Sequence, residues 1–324
     1  MSPICGAHQP RRFGSRLMGF LLPEICVHRL PPLKHLPNLQ HAGYGTYFKT
    51  VLYRGWGLVM LLTGKVAVIF GGSGAIGSAV AQAMAREGAH VCLGARSQEK
   101  LDRTASIIRT AGGTVETFIT NVLDEHNASK EVTRLVEQTG GIDVVVNTTG
   151  FMHEQGKRID ALSLSEFMSG ITPFLSAQFN IAKAVTPHMG GNRAGVILSV
   201  VAPAAPMAMP GHLGHIVGCA GTEAFIKAFA SEVGPANIRV VGVRSHAIVD
   251  AVAAGSYTGE IFSAKAQSMG LTVDQWLGGA AQSTMLARLP TLAQIAEVMT
   301  FLASDHASAM TATVVNITGG ATHS

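Results

Sequence analysis

Three glycines stand where a backbone can do chemistry that side chains cannot. Gly72, Gly74 and Gly77 fall at the spacing G-x-G-x-x-G within Gly71-Gly72-Ser73-Gly74-Ala75-Ile76-Gly77, directly after the apolar run Val66–Phe70 and opening a helical pattern over 78–87. Missing Cβ atoms let the chain approach a pyrophosphate, and the N-terminus of the following helix offers it N–H donors. A second strand pattern at 89–93 comes at the distance a strand-turn-helix-strand unit requires. The stretch is therefore expected to bind a dinucleotide; the plainer alternative is a tight turn with no ligand.

Other groups with chemical potential are less organised in the sequence. His212 and His215 are three apart, a spacing metal sites use, but no acid or third ligand lies near them, and no metal is assigned. Cys5, Cys26, Cys92 and Cys219 are far apart and form neither C-x-x-C nor Cys/His ligand spacing, so neither a zinc site nor a disulfide framework is expected. A reducing, cytoplasmic setting fits that usage.

The elements that must position these residues can be read from patterning. With 47% hydrophobic and 14% charged residues in 324, the chain can bury a substantial core. The net charge of +4 belongs to the first 59 residues, which hold seven Lys and Arg against Glu24; the remainder of the chain is net negative. No basic stripe with interleaved aromatics appears in that remainder, so no nucleic-acid partner is expected. No apolar run reaches the roughly 18 residues of a membrane span, and Lys65 interrupts the nearest.

Residues 1–59 carry six prolines and no sustained period of 2 or 3.6, so an irregular N-terminal extension is expected. Three readings stand beside one another. The apolar segment 17–27 is too broken by Pro23 and Glu24 for a signal-peptide core, and the Arg-rich, acid-poor start could mimic a transit peptide. The favoured reading takes Met60 as the natural start, with the preceding residues an over-extension of the gene.

From Lys65 onward strands alternate with helices. Strand patterns lie at Val66–Phe70, 89–93, 115–119, 142–146, 196–200, 238–243 and Thr313–Ile317; helical patterns lie at 98–109, 125–138, 165–188, 215–233 and Leu292–Ala303. Thr272 with Gln275 and Thr291 with Gln294 read as capping boxes. Strands apolar throughout and separated by helices imply a parallel sheet covered on both faces, a single doubly wound α/β domain over 60–324.

The chain from about Leu62 to Gly320 resembles the short-chain dehydrogenase/reductase family. The resemblance is carried in order by the glycine turn, Gly94-Ala95-Arg96-Ser97, Asn147-Thr148-Thr149-Gly150, Pro187-His188-Met189, Glu232-Val233-Gly234-Pro235 with Ile238-Arg239-Val240, Phe301-Leu302-Ala303-Ser304-Asp305, and Asn316-Ile317-Thr318-Gly319-Gly320. It implies a seven-stranded parallel Rossmann sheet assembled as a homodimer or homotetramer.

The resemblance also assigns cofactor residues. Gly71 and Gly77 match the family's T-G-x-x-x-G-x-G, with Gly72, Ser73, Gly74 and Ile76 between them; Phe70 replaces its Thr and Ala75 its middle Gly. Ala95 stands where NAD-preferring members carry an acid and Arg96 where NADP-preferring members carry a base. An Arg without a neighbouring carboxylate pairs with a 2′-phosphate, so NADP is expected first and NAD second. Asn121 and Val122 take the place of the family's Asp-Val beside the adenine. Asn147 and Gly150 keep the ends of its N-N-A-G, the loop that packs on the adenosine.

The catalytic positions depart from the family. Aligned back from Ile238-Arg239-Val240, its Y-x-x-x-K falls on His215-Ile216-Val217-Gly218-Cys219, its serine on Ala202, and its helix asparagine on Phe174. In the family, the Lys lowers the pKa of the Tyr so that it can exchange a proton with the substrate oxygen. Cys219 is neutral and too short for that task. An unperturbed imidazole titrates near pH ~6.5, so His215 could exchange the proton, but it lacks the helper charge. His246, where the family has Pro-Gly, and His153, just after Gly150, add to a histidine-rich cleft. Residues 255–290, with Tyr257, Phe262, Met269, Trp276 and Met285, correspond to the family's variable lid and suggest a small apolar substrate.

Three functions are open on this reading. The first is a divergent NADP-dependent oxidoreductase using His215. The second is a non-redox lyase, isomerase or cyclase on the same scaffold, and the third a nucleotide-binding pseudoenzyme or regulatory subunit.

Overall fold

Every strand of the core is laid down by an apolar run, and the faces of the sheet can be read from alternation within it. In the first strand, β1 (Val66–Phe70), Val66, Val68 and Phe70 join one buried cluster while Ala67 and Ile69 join the other. The structure, a computed structural model, describes residues 60–207 and 209–322. The extension 1–59, with Cys5 and Cys26 and the question of a start at Met60, lies outside the described residues.

Six further strands are β2 (His90–Ala95), β3 (Thr114–Ile119), β4 (Val144–Asn147), β5 (Gly195–Val201), β6 (Ile238–Ser245) and β7 (Thr313–Ile317). All pair in parallel in the order β3-β2-β1-β4-β5-β6-β7. The order reverses direction between β1 and β4, which opens a crevice at their C-terminal ends where ligands of such sheets bind.

Helices cover both faces. The cluster on one side holds α1 (Ala75–Arg86), α2 (Gln98–Thr110) and the C-terminal α9 (Leu292–Ala303); the other holds α3 (Glu125–Thr139), α5 (Thr172–Val185) and α6 (Leu213–Val233). The short helix α4 (Leu164–Ser169) precedes α5, and α7 (Thr258–Ser268) with α8 (Val273–Gln282) form the lid. The capping boxes at Thr272 and Thr291 are made as their spacing predicts. No helix among the described residues is long and apolar enough to cross a membrane.

Two boundaries differ from the sequence patterns in ways that matter to the site. The first helix begins at Ala75 rather than 78, so Gly77 lies inside its first turn. The pattern at 165–188 is not one helix but α4, α5 and a 3-10 turn, Thr186–His188. Gly170 ends α4, and Pro173 sits in the first turn of α5, where its ring and missing N–H are tolerated; carried inside one helix it would clash with the carbonyl of Ser169.

The break serves a purpose in packing. A Cβ on Gly170 would lie 2.6 Å from the carbonyl carbon of Gly214 and 2.7 Å from the nitrogen of His215. The start of α6 therefore docks directly on the break, and this contact fixes where His215 projects.

Candidate functional site

The glycine turn is built by close backbone approach. Gly71 has φ 81° and its amide and that of Gly72 donate to the Gly94 carbonyl on β2. A Cβ on Gly77 would strike the Gly71 carbonyl and come 2.8 Å from Thr148 Oγ1, whereas one on Gly74 would meet only Gly71 O at 3.3 Å. A Cβ on Gly72 would press on Leu93 Cδ2 at 3.0 Å and the Ile69 carbonyl at 3.1 Å, so Gly72 and Gly77 are constrained by the protein's own packing and Gly74 far less. Gly74 is the N-cap of α1 without a capping side chain, and no acid lies in the first turn. The amides of Ala75, Ile76 and Gly77 have no acceptor within the helix and suit a pyrophosphate, while Ser73 sits at the apex of the turn.

The other candidate cofactor positions lie at or just after the C-terminal ends of β2, β3 and β4. Arg96 follows β2, is exposed, and makes no ion pair with any described residue. Asn121 closes an Asx turn through its Oδ1 to the Leu123 amide at 3.2 Å, which leaves its own amide group outward. Val122 is buried, and its carbonyl accepts from Asn180 Nδ2 on α5 at 2.9 Å. Asn147 is buried and accepts from both the amide and the hydroxyl of Thr149 at 3.0 and 2.7 Å, so it shapes its loop. Gly150 is needed because a Cβ there would collide with the ring and hydroxyl of Tyr257.

Ile76, Asn147 and Gly150 share one cavity of about 250 Å³ with Phe174, Ala202, His215 and Cys219. Three of the dinucleotide candidates are thus walls of the cleft that the substituted family positions line, while Gly71, Gly72, Ser73, Gly74, Gly77, Arg96, Asn121 and Val122 lie outside its walls.

His215 lies face to face with His153, ring centroids 4.3 Å apart and planes 15° from parallel. Phe174 closes on both edgewise, at 5.4 Å from His153 and 6.4 Å from His215, and on Phe151 at 5.3 Å. An aromatic cluster thus fills the place of the family's helix asparagine. Burial, then the neighbours His153, His212 and Lys265, pull the pKa of His215 down to about 3. At neutral pH it is an uncharged imidazole, not the proton donor that an ordinary histidine pKa suggests.

Hydrogen-bond partners assign the tautomers of two of its neighbours. His153 Nδ1 donates to the Phe151 carbonyl at 2.8 Å, so Nε2 accepts from Gln155. His212 Nδ1 donates to the Pro210 carbonyl at 2.9 Å, so Nε2 accepts from Lys265 Nζ at 2.9 Å. With both ring nitrogens engaged and an ammonium against it, His212 is closed to the metal pairing its spacing with His215 allowed. Burial lowers the pKa of His153, His212 and His246 alike.

Cys219 Sγ sits 3.9 Å from both ring nitrogens of His215. Burial pushes its pKa up to about 12 against the opposing amides of Ala202 and Ala204, so the thiol is neither thiolate nucleophile nor stand-in for a lysine.

Two residues from the lid enter the cleft that sequence spacing alone did not single out for chemistry. Tyr257, 39% exposed, lies over Gly150. The protein walls around it, then Cys219, raise its phenol to about 12. Lys265, eight residues on, reaches the same cavity from α7. The available signal was the lone lysine in the lid segment; that Tyr257 at the N-cap of α7 and Lys265 within it reach one cavity becomes evident only once the segment is folded.

Away from the cleft, His90, Cys92 and Glu116 bring one ligand atom each within 4.8 Å on neighbouring strands, a grouping visible only once β2 and β3 are in register. His90 Nε2 is 3.1 Å from Glu116 Oε1, and burial followed by Glu116 raises Cys92 to about 12, a protonated core thiol.

Residues 72–322 match the family described as Enoyl-(Acyl carrier protein) reductase. The 3-oxoacyl-[acyl-carrier-protein] reductase of Thermotoga maritima is 30% identical over 266 residues, 81% of this chain and 99% of that protein. Among solved structures, a dehydrogenase/reductase from Sinorhizobium meliloti superposes with TM-score 0.67 at 23% identity, over 82% of this chain and 98% of the other. An NAD+-bound xylitol dehydrogenase superposes with TM-score 0.68 at 22% identity, over 80% and 99%.

Proposed function

The chain belongs to the short-chain dehydrogenase/reductase family of oxidoreductases, and from that premise we propose that it binds a nicotinamide dinucleotide, NADP ahead of NAD, without the family's own proton relay. The observation that carries this reading is that Ile76, in the uncapped first turn of α1, lines one cleft with the substituted positions Ala202, His215 and Cys219. Gly71, Gly72, Ser73, Gly74, Ile76 and Gly77 hold the pyrophosphate, Arg96 the 2′-phosphate, and Asn121, Val122, Asn147 and Gly150 the adenosine side. The bound nicotinamide would supply or accept a hydride.

On this reading His215 binds and positions as a neutral imidazole instead of donating a proton. Removal of a general acid costs about 10²- to 10⁴-fold, so carbonyl reduction by the family's route is largely lost. A second reading is favoured by Tyr257, whose phenol faces the same cavity: residual hydride transfer with the proton exchanged by the lid. Single-turnover oxidation of bound NADPH over a panel of carbonyl compounds separates the two. Turnover lost in Tyr257→Phe and kept in His215→Ala supports the lid as donor; the reverse pattern restores His215. No turnover with NADPH bound supports a pseudoenzyme, and product without a change in nicotinamide absorbance supports a lyase, isomerase or cyclase.

The free, buried Cys92 and Cys219 accord with a cytoplasmic setting. On this reading the chain assembles as a homodimer or homotetramer, and Phe179 on α5 and Leu213 and Val217 on α6 are exposed apolar side chains available to such a contact.

A further inference from the structure

The cleft is charged on one side only. Among the described residues no Asp or Glu lines it, and Lys265 is the single lining Lys or Arg. No carboxylate of a described residue pairs with Lys265. Its one close polar partner, His212 Nε2 at 2.9 Å, is a neutral acceptor because Nδ1 is spent on Pro210. The histidine orients the ammonium without neutralising it.

The position of the ammonium is built, not incidental. Lys265 Nζ lies 5.5 Å from the centre of the Trp276 ring, and that ring packs on Phe262 at 4.6 Å. The lid helices α7 and α8 thus hold a half-buried cation between an imidazole and an indole. A cation so placed is costly without a counter-ion, and two of its three N–H bonds have no acceptor among the described residues. Around it the walls are largely apolar, with Phe151, Phe174, Ile248, Ile261 and Phe262 prominent.

We infer that the cleft takes a ligand that is apolar along its length and ends in a carboxylate, held by the Lys265 ammonium under Trp276. An apolar acid is a narrower class than the small apolar substrate expected from the lid. Its assignment rests on the reading of this cleft as the substrate side of a dinucleotide site.

The test compares octanoate with octanamide and octylammonium by calorimetry on the full chain, beside a titration with NADPH. Octanoate is expected to bind about tenfold or more tightly than octanamide, as a charge-assisted contact implies, and octylammonium not to bind. Lys265→Met is expected to bring octanoate down to the octanamide level and Lys265→Arg to restore much of the difference. Equal binding of acid and amide by the unsubstituted chain, no binding of the acid at millimolar concentration, or discrimination that survives in Lys265→Met overturns the inference. A chain that binds NADPH without discriminating refutes only the acid; one that discriminates without binding NADPH refutes only the dinucleotide.

Discussion

The imidazole of His215 is stacked on that of His153 at 4.3 Å, with Lys265 and His212 beyond it. A proton on either ring would be repelled by the other ring when charged and by the ammonium, and would be poorly solvated behind Phe174. The helix position that in the family donates a proton is here built to stay neutral.

Acid stability depends on that neutrality. The unfolded chain takes up a proton on His215 near 6.5, the folded chain only near about 3. Between those values the unfolded state binds more protons, so the contribution of this site to stability is complete above pH 6.5 and is lost progressively as pH falls toward 3. His153, His212 and His246 shift in the same direction and steepen the loss. Thermal melts taken from about pH 7.5 to about pH 5 are expected to fall continuously, and less steeply in His215→Asn. An unchanged slope in the variant would mean that His215 titrates alike in the folded and unfolded chain.

Dinucleotide preference is expected to reside in Arg96. Its guanidinium is exposed and unpaired among the described residues, and a charge-assisted pair with a 2′-phosphate is worth about 1.5–3 kcal/mol. Arg96→Ser should weaken NADPH about 10- to 100-fold and leave NADH nearly unaffected. Equal losses for both dinucleotides would place Arg96 elsewhere than at the 2′-phosphate.

The glycines of the turn are expected to differ in kind. Gly77→Ala forces a methyl into the Gly71 carbonyl and onto Thr148, and should lower the melting temperature as well as dinucleotide affinity. Gly74→Ala meets only Gly71 O at 3.3 Å and should cost mainly affinity. Melting curves and NADPH titrations on the two variants measure this directly; equal melting temperatures would contradict it.

The ion pair behind the cleft is expected to matter more than those on the surface. Arg244 Nε and Nη2 donate to Glu223 Oε1 and Oε2, both at 2.8 Å, with the side chains 8% and 12% exposed. Glu223→Ala leaves a buried guanidinium unpaired and should cost about 3–5 kcal/mol in denaturant unfolding. Lys183→Ala, which breaks the exposed pair with Glu125, should cost under about 1 kcal/mol.

The features legible in the sequence and those hidden from it differ for physical reasons. The strands were legible because parallel strands buried on both faces read as continuous apolar runs, and the glycine turn because its constraint is local. The start of α1 was misplaced because glycines in a first turn carry no amphipathic signal. The split at Gly170 was missed because apolar spacing continues across it while Pro173 ends the hydrogen-bond ladder. In the cleft, Ala202, His215 and Cys219 were placed by the order of family marks. Tyr257 and Lys265 were not, because the lid reaches the cleft through tertiary packing, and the neutrality of His215 depends first on burial by the fold and then on His153 and Lys265, distant from it in sequence, with His212 beside it.

The most direct measurement is calorimetric titration of the full chain with NADPH and with NADH. One NADPH per chain, bound more tightly than NADH, is expected from the free amides at the start of α1 and from Arg96. No heat with either dinucleotide at millimolar concentration would contradict the assignment of the cleft.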